Sequence, residues 1–140
     1  MLEQHLESLG GALLVRSLPG WLDGSLAAVP QAEEGVVLTR PLRREDGRLD
    51  AARSANTLER MVRAYQPWPG TFLELGGERV VVNEASVAPA GDGDVPGTLV
   101  RSNGVPAIAT PDGRLVLHRV TPAGRRTMLG ADWLRGRRTL

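Results

Sequence analysis

The sequence predicts a mostly β domain with helices, in which a small antiparallel barrel follows an N-terminal amphipathic helix and a linker. Three observations carry this expectation. Apolar residues recur at helical spacing near the N-terminus and again over residues 58–65, whereas from residue 71 onward the period is two and the segments are short. The composition of the 140 residues, with 17 glycines, 10 prolines and only five aromatic side chains, suits a turn-rich fold. The length suits one domain with an appended segment.

The first element is a helix over roughly Leu2 to Leu18. Leu2, Leu6, Leu9 and Leu13 form one stripe, and Leu14 and Leu18 widen it. Gly10-Gly11 weakens its middle, and Pro19-Gly20 is expected to end or kink it, with Trp21 and Leu22 extending the apolar face. From Asp23 the chain turns polar and irregular through Gly24, Pro30 and Glu33-Glu34-Gly35, which reads as an extended connector. The expected division is therefore a helix over 1–23, a linker over 24–39 and a domain over 40–140.

In the second helix Leu58, Met61, Val62 and Tyr65 fall on one face and Glu59, Arg60 and Arg63 on the other. Asn56 or Ser54 is the expected cap, and Asn56 with Glu59 has capping-box spacing. Pro67-Trp68-Pro69-Gly70 stops the helix at Gln66, with Trp68 expected as a hydrophobic plug against the core and base stacking as the weaker alternative. Strands are expected over 71–75, 78–87, 97–101, 105–110 and 114–120, separated by Gly76-Gly77, the loop from Pro89 to Pro96, Ser102-Asn103-Gly104 and Pro111-Asp112-Gly113. Five short strands at this spacing suggest a closed or partly closed antiparallel barrel of the OB-like kind. A short helix over 130–138 closes the chain, with Trp133 and Leu134 inward and Arg135, Arg137 and Arg138 outward.

Several chemistries are excluded. There is no cysteine, which removes disulfides, Cys-ligated zinc and thiol catalysis. No phosphate-binding glycine fingerprint and no Ser-His-Asp, HExxH or EF-hand pattern occurs. His5 and His118 stand far apart in unlike contexts and read as structural, and Asp92 and Asp94 read as a solvated turn. No apolar run reaches a membrane span, and Met1-Leu2-Glu3-Gln4-His5 carries no signal-like features, so a cytoplasmic protein that engages no membrane is expected. By these signs the chain is not an enzyme by itself, and a binding function remains.

Charge indicates what is bound. The formal net charge is +1, but residues 1–36 hold Arg16 against Glu3, Glu7, Asp23, Glu33 and Glu34, a net −4, and the remainder is +5. From Arg114 onward seven arginines stand against Asp132, a net +6. Every cationic side chain is arginine, whose guanidinium grips phosphate bidentately and stacks on bases. The focus of this charge is Thr121-Pro122-Ala123-Gly124-Arg125-Arg126-Thr127-Met128, where a Pro-Ala-Gly turn presents two adjacent arginines at a defined place. A basic tail of this kind suits a polyanion; a solvated surface turn is the plain alternative.

Four stretches together resemble a known family. Arg63-Ala64-Tyr65-Gln66-Pro67-Trp68-Pro69-Gly70, Pro96-Gly97-Thr98, Ile108-Ala109-Thr110-Pro111-Asp112-Gly113 and Pro122-Ala123-Gly124-Arg125-Arg126-Thr127-Met128 are similar, in order and spacing, to the C-terminal region of methionyl-tRNA formyltransferases. Residues 1–35, including Gly24, Leu26 and Pro30-Gln31, resemble the last helix of the catalytic domain and the start of the interdomain linker. The resemblance implies an OB-like barrel that binds initiator methionyl-tRNA through its backbone for a separate catalytic domain using 10-formyltetrahydrofolate. The catalytic Asn, His and Asp and the His-x-Ser-Leu-Leu-Pro segment of that domain have no counterpart here, so no catalytic, cofactor or metal residue is expected in this chain.

The expected tRNA contacts are Arg125, Arg126, Arg137 and Arg138, followed by Arg63, Arg60, Arg43 and Arg40. The expected partners are the tRNA, the catalytic formyltransferase domain and, through the leucines of the first helix, a second copy of the chain as a homodimer. One departure stands out: Leu49-Asp50-Ala51 replaces the family's frequent Ile-Asp-Trp, removing a packing tryptophan. The alternative function is a non-catalytic protein-interaction or structural module of a formyltransferase of the sugar-nucleotide or folate type.

Overall fold

Helix α1, Leu2–Leu22, runs through both Gly10-Gly11 and Pro19, past the point where the sequence predicts its end. Proline forfeits one backbone hydrogen bond, and the chain recovers beyond it, where the Asp23 N–H donates to the Pro19 carbonyl at 3.0 Å. None of the described α1 residues is buried. The computed structural model describes residues 2–137, and the chain divides after Thr39 into two compact units.

The second unit opens with a 3-10 turn, Arg44–Gly47, and helix α2, Ala55–Ala64. Ser54 is the cap, its hydroxyl accepting from the Thr57 N–H at 3.1 Å, so the predicted Asn56–Glu59 capping box is not formed. Glu59 instead pairs with Arg63 one turn on. A long-range contact completes the helix start, because the Ala55 N–H donates to the Asp112 carboxylate at 2.8 Å. That satisfies an orphan donor and sets a negative charge at the positive end of the helix dipole. Leu58 and Val62 are buried, each contributing roughly 1.5–3 kcal/mol of hydrophobic stabilisation.

Six antiparallel strands follow: β1 Thr71–Leu75, β2 Glu78–Ala88, β3 Leu99–Ser102, β4 Val105–Thr110, β5 Gly113–Pro122 and β6 Met128–Leu129. They are ordered β1-β2-β5-β4-β3, with β6 paired to β5. Leu75 faces Glu78 and Ser102 faces Val105, so both hairpins have two-residue turns. Positive φ at Gly76-Gly77 and Asn103-Gly104 is what such turns need to match strand twist. Register shifts between Val82 and Ala85 bend the long β2–β5 pair. No pairing among the described residues joins β1 to β3. The barrel is therefore partly closed, and the free edge of β1 takes a bridge from Arg48 to Phe72.

Inward side chains of β1, β2, β4 and β5 meet Leu58 and Val62 of α2 and Trp133 of helix α3, Gly130–Arg135, in one core. The fold is thus mostly β with helices, as the sequence predicts. It adds the two-residue β6, too short to show a period. Trp68 departs from expectation: it is 54 % exposed. The Gly70 N–H bonds the Tyr65 carbonyl at 2.8 Å, closing the Pro-Trp-Pro loop on the helix end and leaving the ring outside the core.

Candidate nucleic-acid interface

The β5–β6 connection is held rigid from below. Pro122 is fully buried, and the Arg125 N–H donates to its carbonyl at 3.0 Å. The Thr121 hydroxyl donates to the Asn83 side-chain oxygen at 2.8 Å and stands 2.8 Å from the Thr127 hydroxyl, which must then act as donor. Arg125 and Arg126 sit at the crest of this stapled turn, both exposed. Neither forms an ion pair among the described residues.

Arg137 behaves differently from the outward residue expected. Helix α3 stops at Arg135, and Gly136 turns the chain so that the Arg137 N–H returns to the Leu134 carbonyl. Its guanidinium then lies 4.9 Å from the centre of the Trp133 ring, and Nη1 stands 3.6 Å from the Glu78 carboxylate. That nitrogen is buried and makes no hydrogen bond among the described residues. Arg125 and Arg137 line one recess of about 140 Å³, floored by Trp133, Met128 and Pro122 and flanked by Glu78 and Asp132. Arg138 lies outside the described residues.

The other candidates divide by pairing. Arg40 makes a two-pronged bond to Asp46 at 2.5 and 2.7 Å. That bond, followed by the Arg43 N–H, holds the Asp46 carboxyl well below the usual carboxylate range. Arg63 is bound to Glu59 at 2.6 Å. Arg43 and Arg60 are exposed with no side-chain ion pair among the described residues. The structure thus brings Arg125 and Arg137 together; no hydrogen bond or ion pair among the described residues joins the α2 arginines to the turn.

Arg114, within the +6 tail, serves the fold. It clasps Asp94 at 2.6 and 2.7 Å across the Pro89–Pro96 loop. Arg114 and then the Gly91 N–H draw the Asp94 carboxyl down to about 2. The guanidinium occupies the space a side chain at position 91 would need. His118, read as structural, bonds the Ser86 hydroxyl at 2.7 Å. A recess of about 430 Å³ opens beside Ala51, lined by Leu49, Leu73, Leu75 and Ile108 with Arg48 and Glu74, where the sequence lacks the family's packing tryptophan.

Sequence reasoning passed over Arg44 and Arg79, each set over an aromatic ring: Arg44 at 5.6 Å from the centre of Trp68, Arg79 at 4.1 Å from that of Phe72. The signal for Arg79 was available, since the two-residue Gly76-Gly77 turn dictates the pairing of Phe72 with Val81 and puts Arg79 on the same outward phase. Among the described residues there is no cluster of three or more His, Asp or Glu suited to a metal ion and no helix long and apolar enough to cross a membrane.

The class of this partly closed barrel, with exposed arginines on a stapled turn, follows from comparison with known proteins. The family model described as formyl transferase, C-terminal domain, matches residues 41–138, and the chain belongs to that family. The chain is 44% identical over 133 residues to a methionyl-tRNA formyltransferase of Myxococcus xanthus, covering 94% of this chain and 42% of that protein. A methionyl-tRNA formyltransferase of Chloroflexus aurantiacus is 39% identical over 137 residues, covering 96% and 44%. The chain thus spans less than half the length of these relatives. Among solved structures, a HypX variant from Aquifex aeolicus superposes with a TM-score of 0.61 at 20% identity over 88% of this chain and 23% of that one. HypX in complex with tetrahydrofolic acid gives 0.60 over 86% and 22%. At that identity the likeness is one of fold.

Proposed function

We propose that this chain is the tRNA-binding part of a methionyl-tRNA formyltransferase, positioning initiator methionyl-tRNA so that a separate catalytic unit formylates its amino group. The single observation that carries the reading is the stapled turn: two adjacent guanidiniums, exposed and without ion pairs among the described residues, on a loop fixed by Pro122, Thr121 and Thr127. Guanidiniums not already committed to carboxylates release counterions from phosphates, and a fixed loop avoids the entropy of ordering them on binding. Such contacts orient an RNA and read little sequence. The names of the relatives supply the kind of RNA.

The chemistry belongs elsewhere. The family's catalytic Asn, His and Asp have no counterpart in the sequence, and 10-formyltetrahydrofolate would be held with them on the catalytic unit. This chain alone is inactive, and a role in translation initiation places the work in the cytoplasm. The exposed leucines of α1 are the natural seat for the catalytic unit, and a second copy takes that place in a homodimer when the unit is missing.

The test is tRNA binding over a salt series. The parent chain gives a steep fall of log affinity with log salt. Arg125→Ala with Arg126→Ala weakens binding and flattens the slope by about two units. An unchanged slope would remove these residues from the interface and favour a protein partner for the barrel.

A further inference from the structure

The loop that ends α2 does not simply stop a helix. It sets Trp68 on the surface beside a second aromatic ring, Phe72, and each ring has a guanidinium over it, Arg44 and Arg79 respectively. These four side chains, with the Pro69–Thr71 backbone and Val81, line a recess of about 240 Å³. No carboxylate lines it. The acid paired with Arg79, Glu74, stands 4.0 Å from it and is held closer, at 3.0 Å, by Arg48.

We propose that this recess holds one unpaired nucleotide of an RNA strand, its base stacked on Trp68 and its phosphate on Arg44 and Arg79. The chemistry is selective. The volume falls below the roughly 300–1,000 Å³ of sites for drug-sized ligands and suits a single flat ring. An apolar protein segment would cover the tryptophan but bury the Arg44 guanidinium, which makes no ion pair among the described residues, at heavy desolvation cost. A base in a duplex has both faces occupied by its neighbours, which leaves an unpaired one. Aromatic stacking and a cationic rim are the combination by which proteins hold single strands.

Strand register links the recess to the arginine turn. Val81 alternates with the buried Val80 and Val82 and pairs with Thr121. The Thr121 hydroxyl meets that of Thr127, the residue after Arg126. One strand can therefore lie along the outer sheet face from the turn to Trp68. The inference rests on the RNA-binding reading but concerns different residues.

The test uses the full chain with Trp21→Phe, leaving Trp68 and the buried Trp133 as fluorophores, and two probes: a short single-stranded oligouridylate and inorganic polyphosphate. The oligouridylate quenches Trp68 emission and polyphosphate does not. Trp68→Ala weakens oligouridylate binding roughly tenfold with the salt slope unchanged, Trp68→Phe keeps most of the affinity, and Arg44→Gln lowers the slope by about one unit. Trp68 lies outside the core, so the variants should keep the parent's thermal midpoint; the quenching measurement stands without them. No quenching on binding, with equal affinity in Trp68→Ala, overturns the recess and leaves the turn intact. Loss of binding on Trp68→Ala but not on Arg125→Ala/Arg126→Ala supports the recess and refutes the turn, and failure to bind any RNA sinks both.

Discussion

Arg125 and Arg40 carry the same charge on the same unit, yet the structure assigns them unlike work. Arg40 already spends its fork on Asp46, so a phosphate must compete with a carboxylate in place, whereas Arg125 has no such partner among the described residues. Replacing Arg40 or Arg63 by Ala is therefore expected to lower tRNA affinity less than Arg125→Ala does at moderate salt, because each of these guanidiniums is already held by a carboxylate and is less available to a phosphate. Filter-binding of the single variants beside Arg125→Ala checks the order. Asp94 offers a pH readout. Its carboxyl falls to about 2 in the fold, below the ordinary value of about 3.9. The pair with Arg114 therefore stabilises fully above about pH 4 and is lost as pH falls through 2. Asp94→Asn should lower the thermal midpoint at pH 7 and flatten the stability loss between pH 4 and 2 in acid titrations. At Ala51 the prediction has the opposite sign: Ala51→Trp fills part of the neighbouring recess and adds about 1 kcal/mol, the worth of some 40 Å² of apolar surface, read by urea denaturation.

At the level of elements, the strands were legible because glycine, asparagine and proline punctuate them, and the observed hairpin turns sit at the sequence's own markers. The helix starts were less so. Of the two caps the sequence offers, Ser54 rather than Asn56 caps α2 because Ser54 itself is extended while Asn56 already lies inside the helix, a choice that only the tertiary course determines. Ser54→Ala should cost about 1 kcal/mol, measurable by the same denaturation. Arg137 and Trp68 show where periodicity stops informing: each lies just past a helix end, where a glycine or proline redirects the chain and the side chain's facing no longer follows from spacing. Gly130 illustrates the reverse, a residue whose importance is invisible in sequence. A methyl group there would stand 1.9 Å from the Leu117 carbonyl oxygen, so α3 seats on β5 only because this position has none.

For the whole molecule, the candidate site was legible at the turn and illegible at the recess. The turn is one contiguous stretch, whereas the recess joins a 3-10 turn, a loop and a hairpin separated in sequence, and its aromatic partner was expected in the core. The leucines of α1 present another whole-chain property. Leu2, Leu6, Leu9 and Leu13 mark one stripe, but Leu14, Leu18 and Trp21 follow a stripe turned from the first, so no single seam runs the full helix and all are exposed. A chain that keeps this surface in water should self-associate, and sedimentation should detect the dimer, with Leu6→Glu/Leu13→Glu restoring a monomer that still binds tRNA. The central claim is that a fixed basic turn on this barrel grips tRNA. Its most direct measurement is the affinity of the chain for initiator tRNA, for elongator tRNA and for a linear polyanion of similar charge at one physiological salt concentration. Tighter binding of the tRNAs than of the linear polymer, abolished by Arg125→Ala/Arg126→Ala, is the predicted result; equal binding of all three, indifferent to that pair, would contradict it.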